Sequence, residues 1–158
     1  MKATRWEDKL QELAKVQMGE LPYAITTLMS RSKLNWKWKI DPEQAECIRF
    51  ADMLRIAAKE GRLKCIWFHC PNEGSRHVIT ALILKAMGLL SGVLDYCFLG
   101  KEKGVIIEFK RADKPCPKDF KDSQKLFAIW AQSFGIPVYL HNQAEDALES
   151  LRREGLLI

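Results

Sequence analysis

Hydrophobic and polar positions follow two different periods along this chain, and the switches between them outline its elements. Residues 5–17 place Trp6, Leu10, Leu13 and Ala14 at helical spacing and predict an amphipathic helix that ends before Gly19. Residues 21–32 are ambiguous, with a short helix after Pro22 as one reading. Over 34–40 the alternation is strict, with Leu34, Trp36, Trp38 and Ile40 on one face and Asn35, Lys37 and Lys39 on the other, which predicts a strand. Asp41-Pro42-Glu43-Gln44 then starts a helix: Asp41 can cap, Pro42 suits the first helical position and Gln44 can close a capping box. That helix is expected to run to about Glu60, where Gly61 stops it.

The apolar run 65–70 reads as a buried strand, followed by a loop at 71–74 and a helix over 75–87 that Gly88 ends. Strands are expected at 92–99 and 104–110, joined as a hairpin by the charged turn Gly100-Lys101-Glu102-Lys103. Residues 111–118 carry two prolines and read as a loop. A helix over 120–134 ending at Gly135, a strand over 137–141 and a last helix over 144–153 complete the pattern. From Asp41 onward the order is helix, strand, helix, strand, strand, helix, strand, helix, a mixed α/β domain around a small central sheet. Residues 1–40 form an amino-terminal extension to a domain at 41–158.

A chain of 158 residues, 47% hydrophobic, has room for one compact domain with its own core. Lys and Arg number 25 against 20 Asp and Glu, a net charge of +5 that suits a polyanionic partner without requiring one. The five cysteines, Cys47, Cys65, Cys70, Cys97 and Cys116, are scattered and odd in number, which fits free thiols in a reducing compartment. The start of the chain lacks the apolar stretch of a signal peptide, and no window approaches the ~18 apolar residues of a membrane span, so a cytoplasmic protein is expected.

Candidate chemistry lies in the hairpin. Alternation in Val105-Ile106-Ile107-Glu108-Phe109-Lys110 puts Glu108 and Lys110 on one face, and Asp95 is the only charge in the apolar strand that pairs with it. Two carboxylates beside an ammonium suit phosphodiester hydrolysis: the oxygens hold a hard divalent cation, and the ammonium steadies hydroxide or developing charge. The alternative is a solvated Glu–Lys pair on a surface hairpin. It explains Asp95 less well, because a lone carboxylate in an apolar strand is costly unless a cation neutralises it. On the helix after Asp41, positions 46, 50, 53 and 57 share a face, so Glu46 is expected to point inward with Phe50 and Met53; Glu43 is the competing choice, with the helix dipole as its plainer explanation.

Arg76 at the start of a helix, with Asn72 before it, is placed for a phosphate contact; a turn residue and a solvated arginine are the alternative. Arg111, Lys121 and Lys125, with Lys114 and Lys118, surround the loop after the hairpin and could grip a nucleic-acid backbone. Trp36 and Trp38 could stack on bases, though a half-buried edge strand fits their alternation. His69 reads as a core histidine, and a zinc site from Cys65, Cys70, Cys97 and His69 is disfavoured by spacing.

In order, Glu46, Phe68-His69-Cys70-Pro71-Asn72-Glu73-Gly74-Ser75-Arg76, Gly88, Ser91-Gly92-Val93-Leu94-Asp95, Ile107-Glu108-Phe109-Lys110 and Ser123-Gln124 resemble the VRR-NUC domain, the virus-type replication-repair branch of the PD-(D/E)XK nucleases. The resemblance spans residues 41–151. It departs from the family's usual pattern at Leu94, where a proline is common, and at Glu73, where a glycine is. It implies a restriction-endonuclease-like core and a structure-selective DNA endonuclease acting on branched DNA, such as Holliday junctions or flaps, in replication, repair or recombination. A catalytically silent nucleic-acid-binding module of the same fold is the alternative. The resemblance further implies Mg²⁺, with Mn²⁺ able to substitute, on Asp95, Glu108, Glu46 and the Phe109 carbonyl. By the same resemblance Lys110 positions the nucleophilic water, Gln124 supports the site, and the chain pairs as a homodimer.

Overall fold

The computed structural model describes residues 25, 27–31, 33, 34, 37, 39–70, 78–111 and 120–158. The helix expected at 5–17, Trp36 and Trp38, the 71–74 loop with Asn72, the expected helix start at 75–77 with Arg76, and Lys114 and Lys118 lie outside them.

Helix α1 spans Pro42–Lys59. Its start forms the capping box expected from the sequence: the Gln44 N–H donates to Asp41 Oδ1 at 3.0 Å, and the Asp41 N–H donates to Gln44 Oε1 at 3.4 Å. Gly61, at φ +72°, turns the chain out of the helix. Strand β1 (Cys65–His69) and helix α2 (Val78–Ala86) follow, then strands β2 (Tyr96–Gly100) and β3 (Gly104–Phe109), helix α3 (Asp122–Ser133), strand β4 (Val138–His141) and helix α4 (Ala144–Arg153). From Asp41 onward the order of elements is the one the hydrophobic pattern predicts, with ends within the described residues displaced by at most four residues and the last helix matching at both ends.

The four strands form one sheet in the order β1-β2-β3-β4. β1–β2 and β2–β3 pair antiparallel, the latter being the expected hairpin, and β3–β4 pair parallel. One sheet face carries Tyr96, Phe98, Ile107 and Phe109, which pack with Phe50, Leu54, Leu148 and Leu151 of α1 and α4 into the main core. On the opposite face α3 covers Ile106 with Ala131 and Phe127, and Leu94 joins that smaller cluster. The C-terminal residues return along β1, where the Lys64 N–H donates to the Leu156 carbonyl.

Two expectations need correction. Leu34, Lys37, Lys39 and Ile40 belong to no strand, and Lys37 stands in a turn. Alternation alone does not make a strand without a neighbour to pair with, and Leu34, Lys39 and Ile40 instead line a cleft of about 660 Å³ against α1 and β1. The inward face of α1 is also broader than the expected one. Phe50, Leu54 and Ala57 are buried and both Cys47 and Met53 pack against the same core, so the face reaches back through Cys47 to Glu43 on one side and through Met53 to Glu46, against the start of α4, on the other.

Candidate active site

The register of the hairpin sets the site. Tyr96 pairs with Ile107, so one step beyond the ladder Asp95 meets Glu108. There the strands exchange side-chain bonds for backbone ones: the Asp95 N–H donates to Glu108 Oε2 at 3.0 Å, and the Phe109 N–H donates to Asp95 Oδ2 at 2.8 Å. Each carboxylate is thus fixed by the backbone of the other strand. On the other side of Asp95, its carbonyl accepts the Cys70 N–H at 2.7 Å, which ties the end of β1 to the same point.

Glu108 is only 1% exposed, so it is no solvated surface pair. Its Oε1 accepts from Lys110 Nζ and from Gln124 Nε2, both at 2.5 Å. Gln124 also accepts the Lys121 N–H at the start of α3, so one side chain both closes a helix end and holds Glu108. Gly92 makes this possible. It sits at φ +84°, and a Cβ there would stand 2.3 Å from the carbonyl carbon of Ser123 and 2.7 Å from the nitrogen of Gln124. The Gly92–Asp95 turn and the Ser123–Gln124 pair, read separately in the sequence, are in direct backbone contact.

Burial pushes the Glu108 carboxyl above its ordinary range, the Asp95 charge pushes it further, and Lys110 opposes both. Burial works against the Lys110 ammonium, but its bond to Glu108 and the charges of Glu108, Glu43 and Asp95 outweigh this and raise it overall. Lys110 Nζ also lies 5.7 Å from the centre of the Phe120 ring. Burial similarly lifts the Cys47 thiol, helped by Asp95 and Glu43, and lowers His69, which Glu108 partly offsets. Burial is the largest influence on all four groups, and the negative charge of Asp95, Glu43 and Glu108 adds to it at Cys47, opposes it at His69 and overcomes it at Lys110.

Of the residues singled out in the sequence, Asp95, Glu108, Lys110 and Gln124 are brought together, and Phe109 ends β3 between them. Glu46 is not. Its Oε2 accepts the Ala144 N–H at 2.9 Å, satisfying an orphan donor at the start of α4, and its Oε1 lies 3.7 Å from Arg49. Glu43 lines the cleft with Asp95, Cys47 and His69. Counting Cys47 and Leu54 as apolar positions of α1 would have turned Glu43 inward from sequence alone.

Lys121 stands exposed at the start of α3, Lys125 pairs with Asp122 at 3.1 Å, and Arg111 is exposed directly after Lys110. His69 is not the fully buried core histidine expected: it lines the cleft, partly covered, its ring 4.9 Å from that of Tyr96. The zinc alternative finds no support in the geometry. Cys70 and Cys97 approach to 3.8 Å, but Cys65 points to the Leu156 carbonyl from the other face of β1.

Among the described residues no three His, Cys, Asp or Glu side chains gather as a metal-binding group. Asp95 and Glu108 nevertheless offer the donor chemistry a hard cation uses: Mg²⁺ commonly takes one or two carboxylates and fills its other positions with water and phosphate oxygens. The crowding that raises Glu108 is the kind a cation relieves, so the residues present fit such an ion.

Fold and site together define a mixed α/β protein with a buried carboxylate centre at the end of a hairpin. No family model, curated protein or solved structure matches the chain. Among the described residues no helix is long and apolar enough to cross a membrane.

Proposed function

We propose that this chain is a metal-dependent endodeoxyribonuclease of the PD-(D/E)XK type, close to the VRR-NUC pattern, that hydrolyses phosphodiester bonds in branched DNA. The observation that carries the reading is the meeting of Asp95 with a buried Glu108 held by both Lys110 and Gln124. Asp95, Glu108 and the Phe109 carbonyl would hold Mg²⁺ or Mn²⁺, with Glu43 in the place expected of Glu46. The ion, when bound, polarises a phosphate oxygen and makes its water a better nucleophile.

The protein's own groups do the rest. Gln124 and Lys110 fix the orientation of Glu108, and the Lys110 ammonium stabilises negative charge developing beside it. The cleft that ends at Asp95 is lined by Arg31, Lys39 and Arg55, cationic groups suited to a phosphate backbone even though Arg31 and Arg55 also pair with Asp52.

The test is cleavage of labelled linear and branched DNA by the protein and by Glu108→Ala, each shown to be folded, with Mg²⁺, Mn²⁺ or EDTA. Cleavage that needs the metal and Glu108 is the expected result. Equal cutting by the variant, or cutting undiminished in EDTA, would refute it, and DNA binding without cutting under any condition would favour the silent binding module.

A further inference from the structure

The cleft that ends at Asp95 has two unlike walls. Its rings come from the sheet, Trp67 and His69 from β1 and Tyr96 from β2. Its cations come from the facing side, Arg55 from α1 and Arg31 and Lys39 from the residues before it. The volume between them, about 660 Å³, falls within the ~300–1,000 Å³ of small-ligand sites.

The aromatic wall is more open than the fold requires. Positions 65, 67 and 69 alternate onto the core face of β1, where a closed core would bury them. Tyr96 is buried in this way, and its hydroxyl donates to the Cys47 carbonyl at 2.9 Å. His69 pairs with Tyr96 across the strands and its ring is backed by that ring at 4.9 Å, yet it is only partly covered because the cleft opens beside it. Trp67, its ring 6.0 Å from that of Tyr96, holds a buried indole N–H with no acceptor among the described residues. A donor left unmet in this way is unfavourable and calls for a partner.

The cationic wall follows one side of α1. Glu43, Cys47, Ala51 and Arg55 recur every four residues and all line the cleft, so about 18 Å of helix separates its acidic end from Arg55. Arg31 and Arg55 both pair with Asp52, at 3.1 and 2.9 Å, so two guanidinium groups share one carboxylate and a positive charge is left over. Lys39 adds to it.

We infer that this cleft seats an unpaired stretch of a DNA strand, its bases against His69 and Trp67 and its phosphates toward Arg31, Lys39 and Arg55. Flat faces along one side and anions along the other are what the two walls complement, and a single strand presents both. Paired bases are stacked on one another and offer no face to His69. A carbonyl oxygen of thymine, cytosine or guanine is the acceptor that Trp67 Nε1 lacks. The phosphodiester that would reach Asp95 and Glu108 looks alike in paired and unpaired DNA, so selection between them has to come from side chains that touch a base. His69 and Trp67 are then specificity-determining residues. The inference rests on the nuclease reading for the identity of the strand, but binding tests it apart from cleavage.

The test is fluorescence anisotropy in EDTA with labelled oligodeoxythymidine, an abasic strand of the same length and a blunt duplex. Oligodeoxythymidine should bind at least about tenfold more tightly than the other two. His69→Ala, with an unchanged circular dichroism spectrum, should weaken that binding at least about fivefold, the low end of what one base stacked on an aromatic side chain contributes, and leave the duplex untouched. His69→Phe keeps a ring and should restore it. Trp67→Phe keeps the packing and loses the N–H, so it should weaken oligodeoxythymidine about threefold or more and leave oligodeoxyadenosine, which has no base carbonyl, unchanged. Trp130→Ala removes an exposed ring from α3 and should bind as wild type. Equal affinity for strand and duplex, equal affinity for the abasic strand, an equal loss on both with His69→Ala, or no binding to any probe would overturn the inference. Cleavage is scored separately with Mg²⁺: this preference without cutting would support the cleft assignment and remove the nuclease reading, and metal-dependent cutting without the preference would do the reverse.

Discussion

Replacing Gly92 by alanine tests whether the turn before Asp95 and the start of α3 form one unit. Two penalties apply. An alanine at φ +84° sits in a region that L residues rarely adopt, at about 1–3 kcal/mol. In addition, the new Cβ would stand 2.3 Å from Ser123 C and 2.5 Å from its O, both backbone atoms that cannot swing aside. Relief requires α3 or the turn to retreat by about 1 Å, which breaks the 2.5 Å bond from Gln124 to Glu108. A lost hydrogen bond to a buried charged group adds about 1.5–3 kcal/mol.

The total of about 2.5–6 kcal/mol is a large share of the ~5–15 kcal/mol that holds a domain folded. Gly88→Ala is the control, since Gly88 has φ +98° and nothing within 4 Å of its added Cβ. Urea unfolding should show Gly92→Ala losing at least twice as much stability as Gly88→Ala. A double-mutant cycle with Gln124→Ala should be strongly non-additive, because the first change has already displaced the second side chain. Equal losses for the two glycines, or additive behaviour with Gln124→Ala, would refute the contact as the link between turn and site.

Other consequences are smaller and equally direct. Asp41→Ala removes the side-chain acceptor for the Gln44 N–H, leaving only the backbone half of the capping box, and should destabilise by about 0.5–2 kcal/mol in thermal or urea unfolding, with no effect on metal-dependent cleavage. Glu46→Ala leaves the Ala144 N–H without its acceptor and should weaken the fold by about 1 kcal/mol while sparing cleavage, whereas Glu43→Gln should spare stability and depress cleavage at least tenfold; the opposite pattern would restore Glu46 to the site. For pH, Lys110 is raised on folding, so its contribution is fully present below the ordinary lysine value of 10.5 and is lost as pH rises through the folded one. Glu108 is also raised, so its ionisation costs stability as pH climbs from the ordinary carboxyl value of 4.5 through the folded one. Urea midpoints followed across the alkaline range should fall less steeply for Lys110→Met than for wild type; equal slopes would show that the Glu108–Lys110 pair is not formed in solution.

What the sequence made legible, and what it hid, follows from how far each signal reaches along the chain. The capping box at Asp41 and Gln44 and the hairpin about residues 100–103 depend on near neighbours, and both stand where the pattern puts them. Glu108 and Lys110 are two residues apart on one strand, so their sharing of a face needed only the strand's own period. The position of Gln124 could not be reached in this way. Its role depends on a backbone approach between residues 92 and 123 that only a glycine permits, and motif resemblance alone singled it out.

The misreading of α1 has a different origin. Near the start of a helix an error of one residue turns the face by about 100°, and Glu43 and Glu46 differ by little more than rotation when the stripe is drawn through Met53. The deciding fact lies about a hundred residues away, where α4 begins with an N–H in want of an acceptor and takes Glu46. A carboxylate on α1 thus had two calls on it, a helix end and an acidic cleft, and the chain meets them with two residues three apart. Glu46 is spent on the fold, which leaves Glu43, one turn earlier and in line with Cys47 and Phe50, facing the cleft beside Asp95.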